Sequence, residues 1–253
     1  MERTLNCERT PRGFTLIELL IVISIIAMLI GILLPALGNS RKSAKATLCL
    51  SNVRQMGTAL TFYQNDNKTY FPGHHTYPGN QIVWPPRLRM YTDGNHQIFW
   101  CPSNDPVFKW VRAKAGTTAQ YGYEEGERRL TNGSGFSYGY NDWGVQEFTT
   151  PHLGLGAWIG HKQYGEVKES SIVFPSEMIC IADSKSDFNW DTAIDPTDAT
   201  DGEWPSPRHF GSSNVVWADG HANAHKQRDL IAPTPAAKRL WNSDGKPHEE
   251  FWK

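Results

Sequence analysis

Glu18 is a carboxylate set inside an apolar run from Phe14 to Leu34, which is otherwise interrupted only by Thr15, Ser24 and Gly31. An acid at the centre of a membrane-spanning helix costs about 2.5–3.5 kcal/mol on insertion scales, and less this near its start, yet a carboxylate here still calls for a partner. The chemistry it offers is charge neutralisation in a low dielectric, not bond cleavage. A second set lies late in the chain. His209 precedes Asp219-Gly220 with nine residues between, and His221 and His225 follow. Imidazole and carboxylate suit a transition metal. On one strand, however, His221 and His225 lie about 13 Å apart at roughly 3.3 Å per residue, too far for one ion. The structural reading fits better: Asp219-Gly220 closes a hairpin, and His209 pins its register by bonding a backbone carbonyl or Asp219.

A third set is the carboxylate-rich stretch of Asp187, Asp191, Asp195, Asp198 and Asp201. Calcium takes several oxygen ligands from flexible loops, but EF-hand spacing is absent, and a solvated acidic loop is the plainer reading. Catalysis has little support. The chain contains no Gly-x-Ser-x-Gly, P-loop or HExxH motif. His152, Asp183 and Ser184 can be combined on paper into a triad, as such sets can in any chain of this size. We expect no enzyme, no catalytic residue, no metal and no obligatory cofactor, with calcium at 187–201 as the one cofactor to consider.

These residues need elements to position them. A bilayer core about 30 Å thick takes about 20 helical residues at about 1.5 Å each, so 14–34 can span it. After Pro35 the pattern continues as helix to about Asp66. Cys49, Val53, Met56, Leu60 and Tyr63 recur as one stripe, with Arg41, Lys42, Lys45 and Arg54 on the other faces. Gly57 is a weak point in it, costing roughly 1 kcal/mol against alanine. Asn65-Asp66-Asn67 makes a stop. The helix predicted from Phe14 to Asp66 would be about 80 Å long. Its stripe needs a sheet to bury against. Downstream, Arg87 to Tyr91 reads as a short helix. Ile98 to Cys101, Phe136 to Trp143, Ser171 to Phe174 and Met178 to Asp183 read as strands. Asn214 to Ala224 reads as a hairpin with a type I′ Asp-Gly turn. The tail after Leu230 is Pro-rich and reads as a loosely packed extension. The fold class is α+β, a long N-terminal helix on an antiparallel sheet. Its organisation is 1–13 leader, 14–34 membrane half of the helix, 35–66 outer half, 67–230 β-rich head and 231–253 extension.

The junction Arg12-Gly13-Phe14-Thr15-Leu16-Ile17-Glu18 and the run that follows resemble the type IV prepilin and pseudopilin signal. The resemblance implies that a prepilin peptidase cuts between Gly13 and Phe14 on the cytoplasmic side and methylates the Phe14 amine. It implies that Glu18, fifth in the mature chain, pairs with a subunit's N-terminal amine during assembly, and that Pro35 sits where pilins carry a helix-kinking proline. His209 with Asp219-Gly220 looks like the H-X9-DG motif of a large group of bacterial pseudopilin-like proteins. Leu48 to Gly57, Cys101-Pro102-Ser103, Ser137 to Asn141 and Pro175-Ser176-Glu177 are further features of that group. The implied partners are prepilin peptidase, other pilin subunits through the N-terminal helix, and the lipid bilayer. The implied location is the inner membrane, single-pass, leader cytoplasmic and head periplasmic, with incorporation into a type II secretion or type IV pilus-like filament.

Competing readings are a plain anchor and a secretory signal peptide cut after Ala36-Leu37-Gly38. Signal-peptide apolar cores run 7–15 residues and this run is longer. A membrane-anchored periplasmic module that holds glycan on its aromatic residues and never polymerises is the functional alternative, since the chain has 10 Trp, 9 Tyr and 11 Phe. The net charge of -1 gives no reason to expect nucleic acid. Of four cysteines, Cys7 leaves with the leader. Cys49 and Cys101 are the pair we favour for a disulfide, tying the helix to the following loop. Spacing does not fix connectivity, and free buried thiols remain the alternative.

Overall fold

The computed structural model describes residues 14–197 and 202–252. Contacts divide the chain into a unit ending at Lys42 and a compact unit from Ser43 onward. Helix α1 (Leu16–Asp66) contributes to both. In the first unit, α1 is the one described helix long and apolar enough to cross a membrane. Its large apolar side chains from Leu16 to Leu37 are exposed. The helix continues through Pro35. Proline has no amide to give, so the carbonyl of Gly31 loses its usual partner there.

The second unit is an α+β head. The stripe on α1 is its first layer: Cys49, Val53, Met56, Leu60 and Tyr63 are all buried, joined by Gly57, Ala59 and Gln64. A short parallel pair, β1 (His75–Thr76) with β3 (Trp158–Ile159), and a short helix α2 (Trp84–Arg89) lie in the long loops. The main sheet is antiparallel, in the order β2 (Tyr138–Tyr140), β4 (Ile179–Asp183), β5 (Ser212–Trp217), β6 (Ala222–Lys226). Alternation along β5 sends Val216 to one face and Val215 and Trp217 to the other. The Val216 face packs with α1, Trp84, Phe99, Trp110 and Phe136. The Val215 face packs with Val145, Leu153, Leu230 and Trp241.

Several local expectations are corrected. Ile98 and Phe99 belong to a 3-10 helix, His96–Phe99, opened by the Asn95 carboxamide accepting from the Gln97 amide at 3.0 Å. A short apolar run does not by itself separate strand from helix. Ser171–Phe174 forms no strand. Glu169–Ser171 is a 3-10 turn, and the Val173 amide donates to the Ser243 carbonyl. The short helix lies earlier than expected, at Trp84–Arg89, with prolines in its first turn, where a missing amide costs nothing. The tail is not loosely packed. After α3 (Gln227–Leu230) and α4 (Pro235–Lys238), Trp241 is wholly buried and its indole donates to the Leu230 carbonyl at 2.9 Å.

The β5–β6 turn is not type I′. The Gly220 amide donates to the Trp217 carbonyl and the Trp217 amide to the His221 carbonyl, both at 2.9 Å. Only Gly220 of the Asp-Gly pair has positive φ, +87°. The loop therefore has three residues, a type I turn followed by a left-handed glycine that forms a bulge. That glycine meets α1. A Cβ on Gly57 would lie 2.2 Å from the Gly220 carbonyl oxygen, so helix and turn approach main chain to main chain.

Candidate functional site

At the start of α1, Thr15 and Glu18 form a capping box. The Thr15 amide and hydroxyl both donate to the Glu18 carboxylate at 2.8 Å, and the Glu18 amide donates back to the Thr15 hydroxyl at 3.3 Å. Thr-x-x-Glu is the pattern that satisfies the orphan amides of a helix start. The carboxylate is thereby fixed at the first turn, four residues after Phe14, and stays exposed. Phe14 is exposed as well, and Gly13 lies outside the described residues.

In the head, His209 does not reach Asp219. Its Nε2 lies 3.3 Å from a carboxylate oxygen of Asp183, which is wholly buried on β4. The same Asp183 oxygen accepts from the Asn214 amide at 2.6 Å, which ties β4 to β5. Cys49 and Cys101 form a disulfide with Cα atoms 5.2 Å apart, and His209 Nε2 sits 3.4 Å from the Cys101 sulfur. The histidine thus joins β4, the disulfide and the entry to β5. Asp219 instead pairs with His221, through Nδ1 at 2.6 Å. His221 stacks on Trp217, and His225 meets the same ring edge-on. The two ends of the H-X9-DG motif therefore serve two neighbouring structures and make no common site.

The acidic stretch is used locally. Asp191 accepts from the amides of Phe136, Asp187 and Phe188 at 2.8–2.9 Å. Asp187 accepts from the Asn189 amide, and Asp195 from the amide and hydroxyl of Thr197. Asp198 and Asp201 lie outside the described residues. The paper triad is dispersed: Asp183 faces His209, the Ser184 hydroxyl donates to the Asp191 carbonyl at 2.6 Å, and His152 packs against Trp143 and Tyr164.

One buried cluster has no counterpart among the sequence motifs. His74, His75 and Asp142 converge, with His74 Nδ1 at 2.8 Å from Asp142 and 3.0 Å from His75 Nδ1. Burial, with the neighbouring His74, pushes the pKa of His75 down to about 3, so its ring is neutral at ordinary pH. The adjacent pair His74-His75 was visible in the sequence. Its carboxylate, Asp142, follows Ser137 to Asn141 far along the chain, where nothing local pairs it with the histidines.

Residues 9–34 match the prokaryotic N-terminal methylation motif. The chain is prepilin- or pseudopilin-like. It is 45% identical over 62 residues to the type IV wide pilus major component PilA4 of Thermus thermophilus, covering 24% of this chain and 47% of that one. It is 29% identical over 91 residues to the type II secretion system core protein G of Aeromonas hydrophila, covering 35% of this chain and 64% of the relative. The protein of the same description from Dickeya chrysanthemi is 33% identical over 63 residues, covering 25% of this chain and 41% of that one. The chain thus spans roughly half the length of the curated relatives it matches. No solved structure gives a significant match. The pilin-like motif and the exposed apolar helix together describe a membrane-anchored protein.

Proposed function

We propose that the protein is a pilin-like or pseudopilin subunit that is cut by prepilin peptidase between Gly13 and Phe14 and assembles into a type II secretion or type IV pilus-like filament through its N-terminal helix. The observation that carries this reading is the methylation motif over 9–34, joined to an exposed apolar helical surface. In this reading the leader faces the cytoplasm and the head the periplasm, and the precursor waits in the inner membrane.

The assembly step follows from charge. Cleavage creates an amine at Phe14. In a low dielectric, an isolated ammonium and an isolated carboxylate each carry a penalty of several kcal/mol, which pairing offsets only in good geometry. The Thr15–Glu18 box supplies that geometry by holding the carboxylate at the first helical turn. A neighbouring subunit's Phe14 amine then docks in one register. Glu18→Ala tests this. The variant should be cleaved normally yet enter filaments at a tenth of the wild-type level or less, scored in sheared filament fractions. Wild-type incorporation of Glu18→Ala would refute the pairing. Gly13→Leu should leave the precursor uncut, and normal maturation of that variant would refute the peptidase assignment.

A further inference from the structure

We propose that His74, His75 and Asp142 bind one divalent transition-metal ion of the zinc class, with one coordination position open to the adjoining cavity. The three candidate ligand atoms are His74 Nδ1, His75 Nδ1 and an Asp142 carboxylate oxygen, all within 4.8 Å of one another and all on buried residues. Two of the separations are 2.8 and 3.0 Å. Tetrahedral zinc with ligands at about 2.0–2.1 Å places those ligands about 3.3 Å apart. Those two separations lie within a few tenths of an ångström of that spacing, and the third is no more than 4.8 Å.

The atoms that converge point the same way. Two imidazole nitrogens face each other at 3.0 Å, and one of them also faces a carboxylate oxygen at 2.8 Å. A single cation among them can take a lone pair from each of the three. The donor set of two imidazoles and one carboxylate suits zinc and its neighbours better than calcium or magnesium.

The surroundings hold these groups in place. His74 lies just ahead of β1 and His75 opens it, so the pair is not bound by strand alternation, and the two ring centroids are 5.0 Å apart. Gly73, at φ +65°, leads into the pair, and the His74 and His75 amides donate to the carbonyls of Gly156 and Ala157 at 2.9 Å. A Cβ on Gly154 would lie 2.0 Å from the Asp142 carbonyl oxygen, so the missing side chain admits the Asp142 loop. The other nitrogen of His74 lies 3.1 Å from the Thr192 hydroxyl, an outer-shell contact of the kind that orients metal-ligating histidines. His75 and Asp142 also line a cavity of about 170 Å³ walled by Trp143, Trp158 and Trp190. At about 30 Å³ per water, it has room for a small exogenous ligand on the open position.

The second group of three ligand-type side chains among the described residues, Cys49, Cys101 and His209, is excluded because its sulfurs are bonded to each other.

The test uses the full-length chain in detergent, stripped with a chelator and titrated with Zn²⁺ by calorimetry and with Co²⁺ by visible absorption. One ion per chain is expected, with a rise in melting temperature and a Co²⁺ spectrum of low coordination number. His75→Gln and Asp142→Asn, which keep polarity and approximate size, should each weaken binding at least tenfold. His221→Ala, on the exposed hairpin, should leave it unchanged. No saturable uptake by the wild type overturns the proposal. So does uptake that survives both His75→Gln and Asp142→Asn, or uptake that disappears in His221→Ala.

Discussion

Gly57 shows what a single atom decides in this molecule. Read as helix alone, glycine there costs roughly 1 kcal/mol against alanine. In the head it is the point where α1 touches the Asp219-Gly220 turn, and an added Cβ would lie 2.2 Å from a carbonyl oxygen. The clash outweighs the propensity gain, because overpacking a fixed backbone contact costs about 1–3 kcal/mol. Gly57→Ala should therefore lower the melting temperature, and a stabilised Gly57→Ala head would show that helix and turn can part freely. Asp219 lies in a turn, as its pairing with Gly220 predicts. The partner of the His209 ring is neither Asp219 nor a backbone carbonyl but Asp183, which becomes its neighbour through the β4–β5 pairing. Asp183 sits in a strand with no local pattern to mark it as a charge acceptor.

At the scale of elements, the disulfide joins α1 to the loop after the first 3-10 helix, across a separation of 52 residues. Closing a loop of that size in the unfolded chain stabilises the fold by about 2–4 kcal/mol. A Cys49→Ser/Cys101→Ser double variant should lose that much in chemical unfolding, and an unchanged midpoint would argue that the bond is not formed. The α1 stripe was legible because burial on one helix face imposes a 3–4 residue period, and each of its five predicted residues is buried. The hairpin was legible for a similar local reason. Its turn type was not, since Asp-Gly occurs in two-residue and three-residue turns alike and contact with α1 favours the latter. The 3-10 segments and the parallel β1–β3 pair were not legible. They are short, and distant main-chain partners hold them rather than any periodicity of their own. Trp241, set in a Pro-rich tail, gave no sign that it fills the second core layer.

For the whole molecule, the first 35 residues speak for themselves, because processing and membrane insertion read contiguous sequence. The head does not, because its clusters are assembled from loops far apart in the chain. The head also carries a pH response. Burial pushes the pKa of His152 down to about 4 from an ordinary value of 6.5, against the attraction of Asp142. The unfolded chain takes up a proton below pH 6.5 that the folded chain refuses until near pH 4. Stability from the neutral ring is therefore complete above 6.5 and is lost as pH falls towards 4. Thermal unfolding of the wild type should weaken over that window, and His152→Phe should flatten the curve by up to one proton. An equally steep curve in the variant would place the titration elsewhere.

A processed, assembling subunit must carry a new N-terminus, and that terminus is the most direct test. Mass spectrometry of the protein recovered from its native membrane or filament should find a first residue of methylated Phe14. A chain beginning at Asn39, or one that retains Met1 to Gly13, would contradict it.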